Sequence, residues 1–231
     1  MKKVITIGYI FNEPYLRKDE KIFLEVARRK GINLIMINTA KDLDEEELER
    51  KIKKCDVFFN NSAEDFALEI VKTIEEFGKR VIESSKEFYY DEDKWMFFLN
   101  CKKHKIPTLK TILLSQNWNI IKKELERFGE WPVILKRVEG TNGEYVDKAD
   151  NLREAERIIN RFWRKGSNRL PIIAQEFIHS PSYRITIIGN KIVQTAIKEN
   201  KGWKATGVYI LDKNVKNFKV DKELKKIVDK I

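Results

Sequence analysis

Residues 131–143, Trp-Pro-Val-Ile-Leu-Lys-Arg-Val-Glu-Gly-Thr-Asn-Gly, read as a short apolar strand carrying one lysine and followed at once by a loop with two glycines. Side chains of an extended strand alternate between faces, so Ile134 and Lys136 share one face while Val133 and Leu135 share the other. An ammonium beside an isoleucine, next to a loop whose backbone can come close to a ligand, suits an anion such as phosphate. The same residues also fit an edge strand with a solvated lysine and an ordinary turn, because two glycines alone do not define a phosphate loop.

Working upstream, residues 1–85 alternate strand and helix with short connections. Strands are predicted at 3–10, 33–37, 57–60 and 79–82, and helices at 17–30, 42–54 and 63–77. Ile22, Phe23, Val26 and Ala27 give the first helix an apolar stripe, and Gly31 is a suitable stop. Ser62, with Asp65 three residues on, makes an N-cap for the third helix. This alternation predicts a parallel α/β domain covered on both faces. No G-x-G-x-x-G follows its first strand, so the dinucleotide fingerprint is absent.

Downstream, 86–90 read as a connector and 91–105 as a helix with Trp95, Phe98, Leu99 and Cys101 or Lys102 at helical spacing. That helix must end at Ile106-Pro107, because the residue before proline is pushed out of the helical region. A strand at 109–114, a helix at 117–128, the 132–138 strand, a helix at 151–165 and a strand at 171–178 follow. Residues 183–198 alternate around Gly189-Asn190 as a hairpin, with a last strand at 207–211 and a helix at 221–231. Residues 86–231 are therefore a second, α+β unit.

Composition narrows the chemistry. At 231 residues and 42% hydrophobic content the chain can build one large or two small cores. Cys55 and Cys101 have no metal-like spacing, which points to reduced thiols and a cytoplasmic location. With only His104 and His179, a zinc site or a histidine-based triad has almost no material. No apolar run approaches a membrane span. The net charge of +10 is uneven: residues 1–85 hold 16 Lys+Arg against 17 Asp+Glu, and residues 86–231 hold 30 against 19. That positive field could draw a nucleotide, an acidic substrate or nucleic acid, or simply be solvated helix faces.

Four segments, in order, resemble the ATP-grasp ligases of the RimK-like and LysX-like branch. Asp93-Lys94-Trp95 with Lys105-Ile106-Pro107-Thr108-Leu109-Lys110-Thr111 resembles the family's DKW…GIPxPKT segment. Leu135 to Gly143 resembles its lysine strand and glycine loop. Gln175-Glu176-Phe177-Ile178 resembles the QEYI adenine hinge, and Arg184 to Ile197 the hairpin beyond it. The resemblance covers about residues 90–200. It implies a pre-ATP-grasp-like parallel α/β domain at 1–85 and a two-lobed α+β ATP-grasp domain at 86–231.

What the resemblance implies can be placed residue by residue. Lys94 and Lys136 would reach the nucleotide phosphates, and Glu139, Gly140, Thr141, Asn142 and Gly143 would fold over them. Gln175, Glu176, Phe177 and Ile178 would form the adenine hinge, with Ile134 and Ile178 sandwiching the ring. Arg184 matches the catalytic arginine that anchors the acyl phosphate or acidic substrate. The implied reaction joins an amino acid to a small-molecule or protein carboxylate through an acyl phosphate, with ATP and magnesium. No covalent side-chain nucleophile is needed, which suits a sequence without G-x-S-x-G.

The sequence also departs from the family pattern. The ribose-binding acid falls at about Ser182, which is no carboxylate. The family's metal carboxylates and Glu-x-Asn pair follow a late helix within which this sequence ends, so the metal ligands are unknown; Asp212-Lys213-Asn214 reads as a turn. Of the segment written N-T-A-R-G-G after a tryptophan, only Trp203 matches. Three expectations stand: an ATP-dependent carboxylate–amine ligase; a ligase-derived nucleotide- or peptide-binding protein without catalysis; or a basic nucleic-acid binder, disfavoured by the lack of any recognised motif. A membrane partner is not expected, and a homo-oligomer is compatible with the sequence.

Overall fold

The computed structural model describes residues 4–41, 43–140, 143–164, 169–198, 202–204 and 215–230. Its contacts divide the chain into two compact units, Met1–Asp91 and Glu92–Ile231.

The first unit is a four-stranded parallel sheet. Strands β1 (Thr6–Phe11), β2 (Asn33–Asn38), β3 (Val57–Asn60) and β4 (Val81–Ile82) lie in the order β2-β1-β3-β4. Helices α2 (Glu45–Lys54) and α3 (Asp65–Glu76) bury Leu48, Ile52, Ile70, Val71 and Ile74 against Ile10, Ile37 and Phe58. On the opposite face α1 (Lys18–Lys30) brings Phe23 to Tyr9 and Phe59, with ring centroids 4.9 and 5.6 Å away. Helices on both faces are what the alternating sequence predicts. The apolar stripe of α1 is not wholly inward, however: Ala27 is buried, but Ile22, Phe23 and Val26 are 39–50% exposed.

Two local expectations are corrected. Ser62 is not the cap of α3; Glu64 holds that position, and the Ser62 hydroxyl accepts from the Glu64 N–H at 3.3 Å. Asn60 accepts from the Ser62 N–H at 3.1 Å, so this Asn-Asn-Ser stretch closes a turn before the helix begins. Residues 86–90 are not a connector but lie in α4 (Ser85–Glu92). The Ser85 N–H and hydroxyl donate to the Glu75 carboxylate at 3.1 and 2.5 Å, tying the start of this helix to α3.

The second unit starts with α5 (Lys94–Lys103), capped by the Asp93 side chain accepting from the Met96 N–H at 2.8 Å. The helix begins three residues later than the sequence predicts because that cap sets its first turn. Phe98 and Cys101 are buried as expected, whereas Leu99 is 37% exposed. An antiparallel sheet follows, ordered β5-β8-β6-β7, from β5 (Thr111–Leu113), β6 (Val133–Arg137), β7 (Val146–Ala149) and β8 (Ile172–Glu176). Helices α6 (Trp118–Phe128) and α7 (Leu152–Arg164) cover one face, packing Ile121, Leu125, Ile158, Ile159 and Phe162 on Val133, Leu135 and Ala174. Ile134 and Lys136 therefore face away from these helices.

A second, three-stranded sheet pairs β9 (Ser182–Ile188), β10 (Lys191–Lys198) and β11 (Val215–Lys216) antiparallel. The β9–β10 hairpin turns at Gly189, φ +61°, as its sequence requires. Helix α8 (Lys222–Val228) is capped by Asp221. The strand expected at 207–211 lies outside the described residues. Among the described residues, no helix is long and apolar enough to cross a membrane.

Candidate nucleotide site

The face of the β5-β8-β6-β7 sheet away from α6 and α7 carries the candidate site. Strand register puts Ile134 opposite Gln175, Lys136 opposite Ile173, and Thr111 opposite Gln175 from the other side. Lys136 and Gln175 are thus diagonal neighbours on one face. The Lys136 ammonium donates to Gln175 Oε1 at 2.7 Å, and Gln175 Nε2 donates to Thr111 Oγ1 at 3.0 Å. The Thr111 hydroxyl donates to the Leu109 carbonyl at 3.0 Å. This chain fixes which end of the Gln175 amide meets the lysine.

Lys94, at the first turn of α5, comes to the same place from another element. Its Nζ donates to the Val138 and Gly140 carbonyls at 3.1 and 2.7 Å, and its N–H to Val138 at 3.2 Å. One lysine therefore holds the chain where β6 runs into the glycine loop. Burial pushes the Lys94 ammonium below its ordinary range, against the opposing pull of Glu92, Asp93 and Glu139. Burial first, and then the charge of Lys94, push Lys136 down as well. Two ammonium groups in each other's field, half-buried and with no direct ion pair among the described residues, form a place where an added polyanion is stabilised.

The loop between β6 and β7 needs its glycines for backbone reasons. Gly140 has φ +130° and Gly143 φ +73°, regions that L side chains rarely adopt. Glu139 is exposed, and Thr141 and Asn142 lie outside the described residues. The Gly143 carbonyl accepts from Lys204 Nζ at 2.7 Å. Sequence reasoning missed Lys204, seeing after Trp203 only a segment that does not match the family pattern. It also missed β7. Val146 to Ala149 lack strong alternation, and they become a strand because the loop returns them to β6 in register from Val133–Ala149 to Lys136–Val146. Lys148 of this strand lies opposite Ile134 and 5.9 Å from the Phe177 ring, its ammonium paired with Asp150 at 2.7 Å.

At the hinge, the Glu176 carboxylate accepts from the Lys110 N–H at 2.7 Å, and the Glu176 N–H donates to the Lys110 carbonyl at 3.0 Å. The Glu176 side chain is thus engaged in tying β8 to the start of β5. Phe177 and Ile178 lie beyond the strand end; Ile178 is 54% exposed, whereas Ile134 is nearly buried. Arg184 is exposed on β9, opposite Ala196, in the other sheet. The structure therefore brings Lys94, Lys136, Gly140 and Gln175 together and leaves Arg184 on a separate element.

A magnesium site is less well provided for. Among the described residues no group of three or more His, Cys, Asp or Glu side chains converges to hold a metal ion. Asp221 accepts from the Leu224 N–H and Asp229 faces Lys225 at 3.2 Å. Asp212 lies outside the described residues.

Comparison with known proteins gives the family and the fold. Residues 91–231 match the model of the RimK-like ATP-grasp domain. A probable alpha-L-glutamate ligase of Rhodopirellula baltica is 28% identical over 184 residues, covering 74% of this chain and 44% of that protein. The alpha-aminoadipate–LysW ligase LysX of Saccharolobus solfataricus is 28% identical over 163 residues, 68% of this chain and 58% of that one. The chain spans about half the length of the curated relatives it matches. A RimK domain protein ATP-grasp from Sphaerobacter thermophilus superposes with a TM-score of 0.74 at 14% identity, covering 97% of this chain and 80% of that one. A D-alanine–D-alanine ligase from Bacillus anthracis, complexed with ATP, gives 0.67 at 15% identity, covering 98% and 75%. At these identities the two structures establish the fold.

Proposed function

Since the chain belongs to the RimK-like ATP-grasp family, we propose that it binds ATP at the Lys94–Lys136 site and joins a carboxylate to the amine of an amino acid. The observation that carries this reading is the pair of half-buried lysines, each with its charge disfavoured by burial, at the mouth of a glycine loop. Phosphate oxygens would offset the cost of holding the two charges half-buried.

In this reading Lys136, aimed by Gln175, and Lys94, anchored on the loop, neutralise the phosphates, while Gly140 and Gly143 let the loop backbone close over them. Thr141, Asn142 and Glu139 complete the loop. The end of β8 and the two residues beyond it, Gln175 to Ile178, meet the adenine edge, with Ile134 beneath the ring. Arg184 anchors the acidic group of the acceptor. ATP supplies the phosphoryl group that turns a substrate carboxylate into an acyl phosphate, which the amine attacks with loss of inorganic phosphate and a proton. No step is assigned to magnesium, because the described residues offer it no ligand set.

That same observation favours a second reading, a ligase-derived protein that holds a nucleotide or peptide without catalysis. Titration with ADP and a non-hydrolysable ATP analogue, with and without magnesium, separates the two readings. Magnesium-dependent binding, with phosphate release that needs both a carboxylate and an amine, supports the ligase. Binding indifferent to chelator with no phosphate release supports the second. No binding at all sinks both. A cytoplasmic location goes with either reading.

A further inference from the structure

Arg137 follows Lys136 on β6, and a cation beside the site invites the reading of a third phosphate contact. Strand alternation speaks against it. Arg137 shares a face with Val133 and Leu135, the side covered by α6 and α7, opposite to Lys136. Its guanidinium lies instead over the Tyr145 ring, 3.9 Å from the ring centre. The buried Arg137 Nε has no hydrogen-bond partner among the described residues, so the arginine meets the tyrosine by stacking rather than through that N–H.

Tyr145 ends the glycine loop, and its backbone is unusual for its side chain. A φ of +49° is uncommon for a bulky L residue, and such a conformation persists where neighbours impose it. Three contacts do so here. The Tyr145 carbonyl accepts from the Arg137 N–H at 3.0 Å, the guanidinium lies on its ring, and the buried Phe162 of α7 meets that ring edge-on with centroids 5.8 Å apart. The ring in turn lies beside Gly140, where a Cβ would be 3.8 Å from Tyr145 Cδ2. Gly140 is the residue whose carbonyl Lys94 holds at 2.7 Å. The loop is thus fixed at both ends, by Lys94 where it leaves β6 and by Tyr145 where it enters β7.

We propose that Tyr145 is a positioning residue for the nucleotide site: held between Arg137 and Phe162, its ring sets the place of Gly140 and so of the backbone that the phosphates meet. Both Tyr145 and Arg137 act through the loop, and neither touches the nucleotide. The strained backbone is stable only while the ring is held, so loosening the ring releases the loop. The inference rests on the reading of the Lys94–Lys136 site as a nucleotide site.

ADP titration and thermal melting of the full chain, run side by side, test this. Tyr145→Asn removes the ring but suits the left-handed backbone, so it should stay folded and bind ADP roughly tenfold more weakly. Tyr145→Phe keeps the ring and should bind within about twofold of the wild type. Arg137→Met loses the guanidinium stack and should reproduce the loss, and it carries the same test should Tyr145→Asn fail to fold. Arg137→Lys keeps the charge without the planar group and should not restore affinity. The double variant of Arg137→Met and Tyr145→Asn should lose no more than either single change, because the pair acts as a unit. Losses that multiply, full affinity in a folded Tyr145→Asn protein, or recovery by Arg137→Lys would each overturn the proposal. A wild type that binds no ADP would overturn the nucleotide reading with it. Binding that Lys136→Ala weakens and Tyr145→Asn leaves intact would overturn the positioning role alone.

Discussion

Lys136 and Gln175 sit diagonally across the β6–β8 pairing, joined by a 2.7 Å hydrogen bond from the ammonium to the amide oxygen. The amide is itself held by Thr111 at 3.0 Å, so a neutral side chain points the lysine without neutralising it. A carboxylate at this position would satisfy the ammonium fully and compete with an incoming phosphate. Gln175 leaves the charge available. Accordingly, Gln175→Glu should weaken ADP binding while raising or preserving thermal stability, which parallel titration and melting experiments would reveal.

Thr111 is buried beneath this chain of bonds. Thr111→Val removes the acceptor for the Gln175 amide and should cost about 1 kcal/mol of stability in a denaturant titration. Nucleotide affinity should fall severalfold with it, because the Gln175 amide can then rotate. An affinity equal to wild type would separate Thr111 from the site.

The two lysines also predict a pH dependence. Their folded pKa values lie below the ordinary lysine value of about 10.4, so the unfolded chain holds the protons more tightly. Their contribution to stability therefore rises with pH between the depressed folded values and that ordinary value, as the buried charge is lost. Anion binding runs the other way: it favours the protonated pair, takes up protons within that window, and weakens as pH rises through it. ADP titration in buffers of differing ionisation enthalpy should detect the proton uptake. Proton release on binding would argue against lysine–phosphate contact.

The glycine loop should be sensitive to conformation rather than to space. A Cβ at Gly140 would make only ordinary contacts, 3.7 Å from the Glu144 carbonyl, but φ +130° is strained for an L side chain. Gly140→Ala should displace the carbonyl that Lys94 holds and reduce nucleotide affinity, at a stability cost of about 1–3 kcal/mol.

A structural prediction concerns the first unit. A Cβ at Gly8 would lie 2.3 Å from Cδ1 and 2.4 Å from Cε1 of the fully buried Phe58 ring. Gly8→Ala should destabilise this unit by about 1–3 kcal/mol in equilibrium unfolding.

Much of this architecture is legible in the sequence, for physical reasons that differ from place to place. The parallel unit is readable because each strand is a short apolar run and each helix has its own stripe and stop. Lys136 is readable because a two-residue period assigns faces without knowledge of partners. The strand β7 is not, since it is made by pairing with β6 rather than by its own residues. Nor is Lys204, which reaches Gly143 across 61 positions of sequence. The α1 stripe misleads in the opposite sense: its periodicity is real, but half of it faces outward. Glu176 illustrates a further limit, because only the register of β5 shows its carboxylate to be held by a backbone N–H.

The most direct measurement is a calorimetric comparison of ADP binding to the wild type and to Lys136→Ala. Lys136 lies at the centre of the proposed site, and its removal takes a disfavoured charge out of a half-buried place, so folding should be preserved to within about 1 kcal/mol. The account predicts binding by the wild type and a loss of roughly 10- to 100-fold in the variant. Equal affinity in two equally folded proteins would contradict it, and the nucleotide would have to be sought elsewhere on the chain.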